Sequence, residues 1–239
     1  MTADRGPPDA RTNRADDDFP VRLASGLVLA PAALIVARIG GAIFVAFWAA
    51  AALLIAWEWT KLVARGDNRG LWLAAGVLYA AVTLLAPLTL RADAGYGFLA
   101  IVFLFAIVWM TDIMGYMVGR AVGGRKLWPA ISPNKTWSGA IGGVAGALVA
   151  GLGVATWGAL PLVPIAILAM ILSMVAQGGD LLESAIKRKF GAKDTSDLIP
   201  GHGGVMDRLD GFIAAALVAA VIGVLRGGPD AAARGLLVW

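Results

Sequence analysis

There is no cysteine in these 239 residues and only one histidine, His202. The first absence excludes disulfides, thiolate metal sites and cysteine nucleophiles. The second excludes a metal held by several imidazoles. Any bound cation must therefore be ligated mainly by oxygen, which favours magnesium or a similar hard ion. Charge is scarce too: 15% of the residues are Asp, Glu, Lys or Arg, against roughly a quarter in soluble domains. What the chain has instead is apolar surface. It is 59% hydrophobic, with a mean hydropathy of +0.77. That exceeds what one soluble core can bury, and lipid is the natural partner for the surplus. The net charge of +4 is therefore read by position relative to a membrane, with no nucleic-acid partner expected. No polar stretch is long enough for a second domain, so a single membrane domain is expected over 21–239. Residues 1–20, with three prolines and Asp16-Asp17-Asp18, read as a disordered polar tail.

A spanning helix needs about 20 apolar residues. Seven stretches qualify, at 22–37, 40–57, 70–90, 96–118, 137–157, 160–177 and 210–227. The expected fold is an all-α polytopic bundle of about seven transmembrane helices. The first span is short, with Arg22 and Arg38 placed to snorkel at its ends. Gly40-Gly41 opens the second, and a tight turn is expected there; a single helix over 22–57 is too long for one ordinary span. A cleaved leader over 1–40 competes with this reading, but a second apolar span follows almost at once.

The basic residues test the span count. One side collects Arg5, Arg11, Arg14 and Arg22 in the tail, then Lys61, Arg65 and Arg69, then Arg120, Arg125, Lys126 and Lys135. It ends with Lys187, Arg188, Lys189, Lys193 and Arg208. The other side has only Arg38, Arg91, Arg226 and Arg234. By the positive-inside rule the crowded side, with the N-terminus, is cytoplasmic.

Acidic residues at membrane depth are costly and usually functional. Glu58, Asp112, Asp180, Glu183, Asp207 and Asp210 lie in or near the ends of apolar spans. If the sixth helix continues past residue 177, Asp180, Glu183, Ser184 and Lys187 fall at i, i+3, i+4 and i+7 on one face. Carboxylates beside an ammonium suit a metal-bound polyphosphate, although a solvated amphipathic end has the same spacing. Gly201-His202-Gly203-Gly204 gives a backbone that a ligand can approach closely, or a simple turn between helices. Asp207 and Asp210 face the same way if helical. A helix cap accounts for one of them; a second metal ligand accounts for both.

Together these residues resemble a known signature. Ser184-x-Ile186-Lys187-Arg188, then Lys193-Asp194-x-Ser196, then Ile199-Pro200-x-His202-Gly203-Gly204-Val205-x-Asp207-Arg208-Leu209-Asp210 is similar, at every specified position, to that of the phosphatidate cytidylyltransferases. The signature region covers 178–211. A second region agrees: Asp112 to Arg120, then Ile131-Ser132-Pro133-Asn134-Lys135-Thr136. Ser138 stands where that family usually has glutamate, and Glu58-Trp59 matches only in character.

The resemblance implies an integral enzyme of the bacterial inner membrane that faces the cytoplasm. It would form CDP-diacylglycerol and pyrophosphate from CTP and phosphatidic acid, in phospholipid biosynthesis. It also implies Mg2+ dependence, with a second cation allowed, and a homodimer. Carried over by position, the metal ligands are Asp180 and Asp207, with Asp210, Glu183 and Asp112 as further candidates. Lys187 joins Asp180 and Asp207 as catalytic. Arg188, Lys193, His202, Arg208, Lys135 and Ser184 are expected to contact substrate.

Two other classes compete. A CDP-alcohol phosphotransferase would carry Asp-Gly-x-x-Ala-Arg and further spaced aspartates, which this chain lacks. A transporter would show repeated halves or helices broken at midplane, whereas here the acids gather at one face.

Overall fold

In this computed structural model the described residues are 30–64, 66–196, 198 and 203–239. The polar tail, residues 22–29 of the first expected span, and His202 lie outside them. Eight α-helices and one short hairpin follow in order. They are α1 (Ala30–Ile39), α2 (Gly41–Val63), α3 (Arg69–Ala92), α4 (Gly97–Val122), β1 (Lys126–Trp128) and β2 (Ser132–Thr136). Next come α5 (Trp137–Trp157), α6 (Leu162–Lys189) and α7 (Met206–Gly227). A single 3-10 turn (Pro229–Ala231) then leads to α8 (Ala232–Leu237). Helices α2 to α7 are the six long and apolar enough to cross a membrane, and the architecture is the all-α polytopic bundle.

The sequence reading placed α5 at 137–157 and the ends of most other spans within about four residues, but α2 runs on to Val63 and the first of the seven expected spans appears among the described residues only as the ten-residue α1. Helix α6 runs on through Gly178-Gly179 to Lys189, so the conditional face of Asp180, Glu183, Ser184 and Lys187 is real helix. The hairpin β1–β2, which pairs Lys126 with Thr136 and Trp128 with Ser132, and the short α8 were not anticipated. At the other end the chain breaks where Gly40 and Gly41 both adopt positive φ, 68° and 55°. Only glycine takes that conformation cheaply. Arg91 caps the break by donating to the Ala37 carbonyl at 2.8 Å.

Lipid tails give helices no hydrophobic reason to associate, so close backbone approach and polar contacts must do it. Helix α5 carries Gly139, Gly142, Gly143 and Gly146 on its α4 side. A Cβ on Gly139 would stand 2.6 Å from the Gly115 carbonyl oxygen, and one on Gly146 2.5 Å from Met114 Cγ. Hydrogen bonds then tie the same layer to α6. The Thr111 and Ser173 hydroxyls are 2.7 Å apart, and Gln177 Nε2 donates to the Ala140 carbonyl at 3.3 Å. Helix α4 is the most enclosed span, with Ile101, Phe103, Leu104 and Ile107 wholly buried. Leu53, Leu78, Val149, Val163 and Leu225 point outward, as lipid-facing side chains should.

The second short helix is locked by charge. Asp93 accepts from the N–H groups of Gly95 (2.9 Å) and Tyr96 (3.0 Å) at the start of α4, and from that of Arg234 (2.8 Å) in α8. Burial pushes the carboxyl upward, but the N–H groups of Tyr96, Arg234 and Gly95 outweigh it and hold Asp93 below the usual aspartate range. A depressed carboxyl contributes stability above its unfolded value of about 3.9. That stability is lost as pH falls through the folded value. The expected result is a thermal-unfolding difference between the parent and Asp93→Asn that is largest above about pH 5 and shrinks toward pH 3. A difference that does not change over that window would refute the assignment.

Candidate active site

Two close crossings assemble the site. At the end of α6, a Cβ on Gly179 would lie 2.5 Å from Ala214 Cβ and 3.0 Å from the Asp210 carbonyl oxygen, and one on Gly211 would lie 3.1 Å from the Ala176 carbonyl. Helices α6 and α7 can touch only because both residues lack side chains. That contact brings Asp180 and Glu183 of α6 beside Asp210 of α7. One carboxylate oxygen from each lies within 4.8 Å of the other two.

Three like charges in one place are unfavourable unless cations offset them. Two lysines do so in part. Lys135, presented by β2, pairs with Asp180, and Lys187 approaches Glu183 at 3.2 Å. Glu183 Oε1 is nonetheless buried without a hydrogen-bond partner. Oxygens around a single hard cation are separated by up to ~4.2 Å for magnesium and ~5 Å for calcium. The spacing, the oxygen-only donor set and the orphaned Glu183 oxygen fit a divalent cation at this point.

Asp207 stands outside that triad. Its Oδ1 accepts from Lys187 at 2.5 Å. Its Oδ2 takes the Thr195 N–H (3.0 Å), the Thr195 hydroxyl (2.9 Å) and the Gly204 N–H (2.8 Å). Lys187 therefore bridges the metal-type cluster and Asp207, and it is nearly buried itself. Ser184 donates to Asp180 at 3.4 Å.

The remaining expected residues spread around this centre. Arg188 holds backbone rather than empty space: it donates to the carbonyls of Ile131 (3.5 Å) and Ala192 (3.3 Å), joining the hairpin to the chain after α6. Lys193 is exposed. Asp112 lies within electrostatic reach of Asp180, Asp210, Lys135 and Arg208. It does not pair with Arg120, which donates instead to the Tyr116 hydroxyl at 2.8 Å. Ser138 supports the fold at the start of α5: its hydroxyl donates to the Gly123 carbonyl at 2.5 Å and meets Thr136 Oγ1 at 3.0 Å. His202 is outside the described residues.

Residues 68–225 match the family model described as the cytidylyltransferase family. The chain belongs to that family. Among its relatives, the phosphatidate cytidylyltransferase of Brucella abortus is 51% identical over 185 residues, covering 76% of this chain and 65% of the relative. That of Staphylococcus saprophyticus is 46% identical over 121 residues, 47% of this chain and 44% of the relative. That of Bacillus subtilis is 42% identical over 120 residues, 49% and 45% respectively. The chain thus spans just under two thirds of the length of the Brucella relative.

For this cytidylyltransferase-family chain, the sequence assigned no site role to two residues that the fold brings against Asp207 and the start of α7. Thr195 falls at an unspecified position of the signature, and nothing in its spacing marks it. Glu58 was visible as an acid in an apolar run, but its partners lie 137 to 148 residues away.

Proposed function

We propose that this chain is a phosphatidate cytidylyltransferase, transferring CMP from CTP to phosphatidic acid at the basic, cytoplasmic face of the bacterial inner membrane. The observation that carries this reading is the triad of Asp180, Glu183 and Asp210 beside Lys135 and Lys187. It lies between the C-terminal part of α6 and the N-terminal part of α7, with Asp112 of α4 within electrostatic reach. A phosphate oxygen of phosphatidic acid bonds to the α-phosphorus of CTP as the bond from that phosphorus to the bridging oxygen breaks. Pyrophosphate departs with those electrons. The nucleophile is already an anion, so the difficulty is bringing two anions together, and fixed positive charge answers it.

Asp180, Glu183 and Asp210 would hold the Mg2+, with Asp207, the second ligand that the resemblance implies, across Lys187 from them. A bound magnesium ion would supply charge neutralisation of the polyphosphate. Lys187 is fixed by Glu183 and Asp207 to face phosphate oxygens, and Lys135, Arg188, Lys193, Arg208 and His202 are the other phosphate-contacting candidates. The lipid's acyl chains stay between helices. We take the working assembly to be a homodimer.

The test is the purified full-length protein with CTP, phosphatidic acid and Mg2+, scored for pyrophosphate and CDP-diacylglycerol. Both products, abolished by chelation and restored by Mg2+, are expected. A well-folded protein that yields neither product across several lipids and divalent cations overturns the reading.

A further inference from the structure

We infer that Glu58 is a positioning residue of this site, holding the first turn of α7 and the Thr195-Ser196 segment in register for phosphoryl transfer; the inference rests on the reading above. Glu58 is wholly buried near the end of an apolar spanning helix. A carboxylate there is expensive unless its oxygens are fully engaged. Among the described residues no lysine or arginine pairs with it.

Its partners are donors from the signature region. The Ser196 hydroxyl donates at 2.6 Å, the Val205 N–H at 2.9 Å and the Met206 N–H at 2.8 Å. The first N–H groups of any helix lack intrahelical partners, and Val205, at the N-cap of α7, makes no side-chain cap of its own. Glu58 supplies that cap from another helix.

The cap is built into the site. Thr195 Oγ1 lies 2.9 Å from Asp207 and 3.4 Å from Glu58. A hydroxyl has one proton, and the shorter contact takes it, so Glu58 and Asp207 divide the donors of one knot between them. A Cβ on Gly204 would stand 2.5 Å from Glu58 Oε1, so the chain has no slack there. Asp207 stands on the turn that Glu58 holds, and Asp210 opens the next. A helix N-terminus is also a ready anion site. Glu58 fills it, which leaves substrate phosphates to Lys187 and Lys193.

The test is Glu58→Gln in the full-length protein. Glutamine offers one acceptor oxygen and turns an amide against donors. The expected result is a fall in kcat of about 10–100-fold, with KM for phosphatidic acid within about twofold and the half-saturating Mg2+ concentration raised. Hydrogen exchange should accelerate in the peptide containing 203–207 and stay unchanged in α4 and α5. Ser196→Ala removes one donor without stranding a charge. If Glu58→Gln fails to fold, Ser196→Ala should still show a smaller loss, about 3–10-fold, in kcat alone.

A folded Glu58→Gln protein with kcat within twofold of the parent overturns the proposal, as does exchange that rises uniformly along the chain. Exchange and Mn2+ titration need no turnover. A parent inactive in cytidylyl transfer, whose Glu58→Gln form exchanges faster only at 203–207 and binds Mn2+ more weakly, would sink the proposed reaction and keep the placement of Glu58.

Discussion

On the proposed reaction, Asp207→Asn is expected to lower CDP-diacylglycerol formation by about a thousandfold in a protein that still folds. Asp207 receives four donors on two oxygens, one of them the Lys187 ammonium. An asparagine has one acceptor oxygen. Turned toward Thr195 and Gly204, it presents its amide to the ammonium; turned toward Lys187, it presents its amide to three donors. Each unsatisfied buried group costs about 1–3 kcal/mol, a cost a multi-helix bundle can carry. The larger effect is on Lys187. Deprived of Asp207, Lys187 keeps Glu183, 3.2 Å away, as its one carboxylate partner among the described residues, and is drawn onto a carboxylate that the cation needs. The rate should fall and the Mg2+ requirement rise together. The check is product formation across a Mg2+ titration, with thermal unfolding measured alongside. A folded variant keeping more than about a tenth of the parent rate would contradict this role for Asp207.

Neighbouring glycines should give opposite outcomes. Gly179→Ala places a methyl 2.5 Å from Ala214 Cβ and 3.0 Å from the Asp210 carbonyl. Both neighbours are fixed, so α6 and α7 must separate. A displacement of about 1 Å at a reacting centre can cost about a hundredfold in rate, and overpacking costs about 1–3 kcal/mol in stability. Gly178→Ala meets nothing within 4 Å and replaces a poor helix former with the best, worth up to about 1 kcal/mol. Gly179→Ala is therefore expected to lose about a hundredfold in activity and to melt lower. Gly178→Ala should keep full activity and melt no lower. Equal effects at the two positions would mean that the crossing does not set the site.

That contrast marks how far the sequence could be read. Hydropathy marked seven spans, because lipid contact demands long apolar runs, and six of them are long apolar helices among the described residues. The signature residues stood out because charge at membrane depth is rare. The i, i+3, i+7 spacing placed Asp180, Glu183 and Lys187 on one face, and α6 does continue through them. Pairing across helices was not legible. Nothing in the order of residues says that Asp210, rather than Asp207, completes the group with Asp180 and Glu183; the Gly179–Gly211 crossing decides it. Helix periodicity cannot express Lys135 reaching Asp180 from a hairpin. Short strands and the six-residue α8 fall below the length at which apolar pattern is informative.

Glu58, Lys135, Asp180 and Asp210 reach a common face by a rule of parity. Two traverses, α3 and α4, separate Glu58 from the hairpin, and two more, α5 and α6, separate the hairpin from α7. Each traverse inverts the chain, so an odd insertion or loss between Glu58 and Asp210 would strand part of the constellation on the opposite leaflet. Between those residues this architecture can grow or shrink only by returning pairs. Ahead of Glu58 no such bookkeeping applies. A relative of greater length can add any number of crossings there and leave every working side chain on the same side of the others.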